Sequence, residues 1–163
     1  MIDYYSGGKN TRAFSRGRVR RVGSRKLIAD IKRNYGQFWC EWVQHSNGNE
    51  YLLCGEDYQG QTVVNLTQGT TSSFFPDAGY AGGGYCWTAA HPSPDSKILA
   101  VEVCYWGCPF ETVFFDFSTP DELPYKEYLR VTDEIESVGW LDDEQFKLTR
   151  EIEVRKADGR PYE

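Results

Sequence analysis

The segment "KILAVEVC" sets Leu99, Val101 and Val103 on one side of an extended chain and Ile98 with Ala100 on the other. Successive residues of a strand point to opposite faces, so a strand apolar on both sides predicts a central position in a sheet covered on both faces. The "TVFFDF" that follows puts Val113, Phe115 and Phe117 on one face and predicts its neighbour. Near the end of the chain Phe146, Leu148, Ile152 and Val154 share one parity. Lys147, Thr149, Glu151 and Glu153 take the other, which is the pattern of a strand with one solvated face. Helix is scarce. The best candidate is "STPDELPY", where Ser118 or Thr119 caps, Pro120 opens, and Pro124 stops the helix after about one turn.

The same pattern recurs along the chain. Residues 38–69, "FWCEWVQHSNGNEYLLCGEDYQGQTVVNLTQG", lie over 85–120, "YCWTAAHPSPDSKILAVEVCYWGCPFETVFFDFSTP". His45 falls on His91, Leu52 on Ile98, Leu53 on Leu99, and "VVNLT" on "FFDFS" after an insertion. A third copy over 137–159 aligns Trp140, the turn Asp142-Asp143, and Phe146 with Leu148, giving a repeat of roughly 50 residues. Each copy reads as an aromatic-rich strand, a tight turn, a second strand, a polar connection and a third strand, which is an antiparallel meander.

The run "SPDSKILAV" followed by "ETVFFDF" resembles the repeat of WD-repeat-type β-propellers, in which a Ser-Pro-Asp turn joins two strands of a four-stranded blade. The Trp-Asp dipeptide of that family is absent. The resemblance implies two to three blades and a scaffold that presents loops to partners. It leaves open whether closure of a ring uses the N-terminal 33 residues, a second subunit in a homo-oligomer, or does not occur.

Composition agrees with an all-β reading. The 163 residues are 40% apolar and include 11 Tyr, 9 Phe and 5 Trp, enough for one core and one domain over 1–163. Charge is divided: residues 1–33 carry ten Lys/Arg against two Asp, and the remainder is strongly acidic. That basic N-terminal strand segment suggests nucleic-acid binding through Arg12, Arg16, Arg18, Arg20 and Arg21. The simpler reading places Arg16, Arg18 and Arg20 on one face of an edge strand, matched by acidic neighbours in the same molecule. The start of the chain has no apolar signal segment, and no apolar run is long enough for a membrane span, so a cytoplasmic protein with no membrane partner is expected.

Hydrolase, zincin and P-loop signatures are absent, and the reading leans away from an enzyme. Two loops stand out, "CGEDYQGQ" and "EVCYWGCPFE", because equivalent connections of a meander emerge on the same edge. With the glycine-rich "FPDAGYAGGGYCW" they offer Glu56, Asp57, Tyr58, Tyr80, Tyr105 and Trp106 as an acidic-aromatic surface for a protein or basic peptide. The alternative is a ligand-binding or hydrolase-like enzyme using Glu56 and Asp57 as acid and base. His45 and His91, at matching points, are expected to bond backbone at strand ends. Of the five cysteines, Cys104 and Cys108 have spacing compatible with zinc, but buried thiols are the expectation, with no metal and no cofactor.

Overall fold

A computed structural model of the protein describes residues 2–5, 14–33, 39–55, 60–77, 85–104, 110–132 and 134–150. These residues form thirteen strands and almost no helix. They are β1 (Ile2–Tyr5), β2 (Phe14–Arg20), β3 (Leu27–Arg33), β4 (Cys40–Gln44), β5 (Glu50–Gly55), β6 (Gln61–Asn65) and β7 (Thr70–Phe74). The chain continues through β8 (Cys86–Pro92), β9 (Ile98–Cys104), β10 (Phe110–Asp116), β11 (Glu127–Val131), β12 (Glu134–Trp140) and β13 (Phe146–Arg150). All pairings are antiparallel, in four sheets of order β1-β2-β3, β4-β5-β6-β7, β11-β10-β9-β8 and β12-β13.

The sheets stack face to face in chain order, and alternation along each strand explains why. In the second sheet Val43, Tyr51, Leu53 and Val63 point towards the third, meeting Trp87, Leu99, Val101, Val103, Val113 and Phe115 in the main core. The opposite parity, Cys54 and Val64 with Leu52 alongside, meets Ala29 and Ile31 of β3. The third sheet also uses both faces: Phe114 packs edge-on against Trp140 and Phe146 of the fourth, with ring centroids 6.0 and 5.3 Å apart. Burying one such side chain contributes about 1.5–3 kcal/mol, so β9, central and covered on both sides, is firmly anchored. β3 packs over β6 and β7, while Trp42, at the far side of the same face on β4, stays 54% exposed. No closed ring or barrel is formed among the described residues.

Four expectations need correction. The first two copies each have a fourth strand, β7 and β11, outside the repeats at 38–69 and 85–120. The arginine stripe is on β2, which lies between β1 and β3 rather than at an edge. "STPDELPY" is a turn: the Ser118 N–H donates to Asp116, and the Glu122 N–H to the Thr119 carbonyl, with no helix following. His45 and His91 do not match in space. His45 opens the β4–β5 turn, where its carbonyl accepts from Gly48 N–H; in the β8–β9 turn that position is Ser93, whose carbonyl accepts from Ser96 N–H. His91 lies two residues earlier, inside β8, opposite Ala100. Along β8 the slip is two residues, which keeps each side chain on its face, so alternation there could not detect it.

Candidate functional site

The site is framed by two opposite rims of the stacked sheets. Three hairpin turns, 45–49, 93–97 and 141–145, make up the first rim. In the first and third of them the opening N–H donates to the carbonyl four residues on, His45 to Asn49 and Leu141 to Gln145. The turns bond directly to one another. Ser46 Oγ donates to the Asp95 carbonyl at 2.9 Å, Ser46 N–H to Ser96 Oγ at 3.2 Å, and Asp95 N–H to Asp143 Oδ1 at 2.8 Å. Asp95 is the pivot, and its carboxylate accepts from the Lys97 N–H and the Ser93 hydroxyl and pairs with the Lys97 ammonium. The Lys97 backbone and side chain, then Ser93, hold its pKa down to about 2.

Beneath this rim a polar clasp joins the second sheet to the segment after β10. Tyr51 is fully buried, and its phenol donates to Asp121 Oδ2 at 3.0 Å while accepting from Asn47 and Asn49. Asn65, equally buried, donates to the same carboxylate at 3.2 Å and accepts from Gln68 N–H. The His45 Nδ1 accepts from Asn47 N–H, so the ring hydrogen sits on Nε2 and donates to the Phe117 carbonyl at 2.9 Å. This histidine serves structure, as expected. His91 faces the fourth sheet instead, with Nε2 3.0 Å from Glu102 Oε1 and its carbonyl accepting from the Trp140 indole.

Since the turns share one end, the other ends of the same strands form the second rim. Gly55 opposite Gln61, and Cys104 opposite both Cys86 and Phe110, mark it. Those residues flank the stretches that carry Glu56, Asp57, Tyr58, Tyr80, Tyr105 and Trp106. All six candidates lie outside the described residues, as do Cys108 and Arg12. At this rim the structure adds a group that sequence reasoning missed. Arg130 bonds both carboxylate oxygens of Glu127, at 3.1 and 2.7 Å, and Glu111 at 2.8 Å, and its guanidinium lies 5.1 Å from the Tyr85 ring centroid. Two strands, β10 and β11, and the residue before β8 supply these groups, so apart from the Glu127–Arg130 pair no local spacing signals them.

A concavity about 400 Å³ in volume opens between the third and fourth sheets. Ile98, Phe114, Trp140, Phe146 and Leu148 line it, with Tyr128 and Leu129 half exposed at its mouth. Its walls are apolar apart from Glu144 and the Tyr128 phenol, and that phenol donates to Asp116 at 2.7 Å. It offers shape without an acid-base pair. On the basic segment, Arg16 and Arg18 both pair with Asp30, and Arg20 donates to the Arg25 carbonyl. Part of the arginine charge is thereby matched within the molecule. Among the described residues no three His, Cys, Asp or Glu side chains gather as metal ligands would, and no helix is long and apolar enough to cross a membrane.

Comparison with known proteins adds little chemistry. No family model matches the chain, and no solved structure matches it. It is similar to a protein of Acanthamoeba polyphaga mimivirus that is described only as uncharacterised, with 31% identity over 170 residues. The match takes in 98% of this chain, which spans 65% of the viral protein's length. What the fold defines is the class: a stack of antiparallel β-sheets whose corresponding turns share a rim.

Proposed function

We propose that the chain is a non-catalytic interaction module, a propeller-like run of sheets that presents the second rim to a protein partner with a basic peptide segment. The observation that carries this reading is the hydrogen-bonded row of turns. It fixes the sheets in register, so the strand ends leading into 56–59, 78–84 and 105–109 converge on one edge. Those stretches carry Glu56, Asp57, Tyr58, Tyr80, Tyr105 and Trp106 and no Lys or Arg, and a cationic segment is the natural complement of such groups. Beside them Glu111, Glu127 and Tyr85 gather around Arg130, whose guanidinium pairs with both carboxylates and lies over the ring. A rigid scaffold with function in its connections is the usual division of labour in such folds.

The test is an array of short peptides of graded charge probed with the purified protein. Retention of basic aromatic-containing peptides over acidic ones is expected, with loss of at least tenfold in affinity for the double variant E56K/D57K. Unchanged far-ultraviolet circular dichroism of the variant shows that the loss is not unfolding. Equal retention of basic and acidic peptides, or an unchanged variant, refutes the reading.

A further inference from the structure

Four of the five cysteines fall into two facing pairs. Cys40 is directly opposite Cys54 in the β4–β5 ladder, and Cys86 directly opposite Cys104 in the β8–β9 ladder. Each pair closes its hairpin at the second rim, away from the turns. Opposed residues of antiparallel strands share a face with Cα atoms about 4.5–5.5 Å apart, which falls inside the roughly 4.4–6.8 Å that a disulfide spans. Both pairs consist of thiols in this structure, and both join a half-buried sulfur, Cys40 or Cys104, to a buried one, Cys54 or Cys86. A cysteine kept only as a small apolar side chain has no reason to face another, still less at the same rim of two consecutive sheets.

We propose that Cys40–Cys54 and Cys86–Cys104 are reversible oxidation sites, each closing to a cross-strand disulfide by exchange with a low-molecular-weight disulfide of the glutathione class. The half-buried cysteine, as thiolate, attacks one sulfur of the small disulfide; the S–S bond breaks and one small thiolate leaves. The opposed cysteine then gives up its proton to solvent, attacks the protein sulfur of the mixed disulfide, and expels the second small thiolate. The protein loses two hydrogens and two electrons per pair, and the small disulfide becomes two thiols. Burial, with Glu41 beside it, pushes the Cys40 thiol up, so exchange at the first pair quickens as pH rises. A closed pair ties together the ends of two strands from which the second-rim connections leave. The proposal stands whether or not that rim binds a peptide.

The experiment takes the whole chain through glutathione buffers from reducing to oxidising, alkylates the remaining thiols and maps linked peptides by mass spectrometry. Cys40–Cys54 and Cys86–Cys104 peptides are expected, each with loss of two alkylatable thiols, and dithiothreitol restores all four. Cys40→Ser, whose folding is checked by circular dichroism, is expected to retain the Cys86–Cys104 bridge and leave Cys54 alkylatable after denaturation. Four thiols still alkylatable in the most oxidising buffer overturn the proposal. So does a predominant Cys104–Cys108 bridge, or glutathione left on Cys40 and Cys104 as an unresolved mixed disulfide.

Discussion

Tyr51→Phe isolates the clasp between the second sheet and the segment after β10, because it removes one oxygen from a fully buried side chain and leaves the ring in place. That oxygen donates to the Asp121 carboxylate and accepts from Asn47 and Asn49. The two asparagine amides reach solvent and recover hydrogen bonds to water, so their loss costs little. The bond to a charged acceptor belongs to the stronger class, about 1.5–3 kcal/mol. Asp121 lies on an exposed turn where water replaces part of the contact, which puts the expected cost near the lower bound, about 1.5 kcal/mol. With a urea m-value of about 2 kcal/mol/M for a domain of this size, the unfolding midpoint falls by about 0.7 M at unchanged m. A double-mutant cycle with Asp121→Ala separates the pair from its surroundings, and about 1 kcal/mol of coupling is expected. A midpoint shift below about 0.2 M, or a double variant whose cost is the sum of the two singles, refutes the clasp as a stabilising link.

Two further outcomes follow from the geometry. The Asp95 carboxyl, followed by carbon NMR, is expected to titrate near 2; because folding lowers its pKa, its stabilising contribution is complete above the ordinary carboxyl range and fades as pH falls towards 2. Asp95→Asn should therefore lower the melting temperature at pH 7 and converge with the parent below pH 2, and a midpoint near 4 would contradict the turn geometry. Phe146→Ala removes a ring that packs on both Trp140 and Phe114, and because the ring is partly exposed the loss is expected at about 2–3 kcal/mol, below the full core range. Chemical denaturation measures it, and a loss under about 0.5 kcal/mol would mean that the fourth sheet does not pack as described.

Residues with a local signal were legible in the sequence. β9 is central and apolar on both faces, and Val113, Phe115 and Phe117 share the main core, as alternation indicated. β7 and β11 escaped because sheet-edge strands such as "TTSSF" and "EYLRV" are largely solvated and need no apolar stripe. The bonds of Asp121 to Tyr51 and Asn65 join residues 56 and more positions apart, and no spacing rule reports such pairs. The matched histidines illustrate the opposite error. Their likeness in letters is not a likeness in place, since the hairpin hydrogen bonds select Ser93 as the counterpart of His45. For the candidate surface the sequence supplied residue types, and the described structure supplies the strand ends around them.

The bonded row of turns makes the two ends of the molecule unequal as sites for change. Adding a residue between His45 and Asn49, or between Ser93 and Lys97, displaces groups that a neighbouring turn must meet, so such an insertion disturbs two hairpins at once. At the far edge, the connections from Gly55 to Gln61 and from Cys104 to Phe110 join strands already held by their ladders. Lengthening or grafting belongs there, and a library built on this scaffold should leave Ser46, Asp95 and Asp143 untouched.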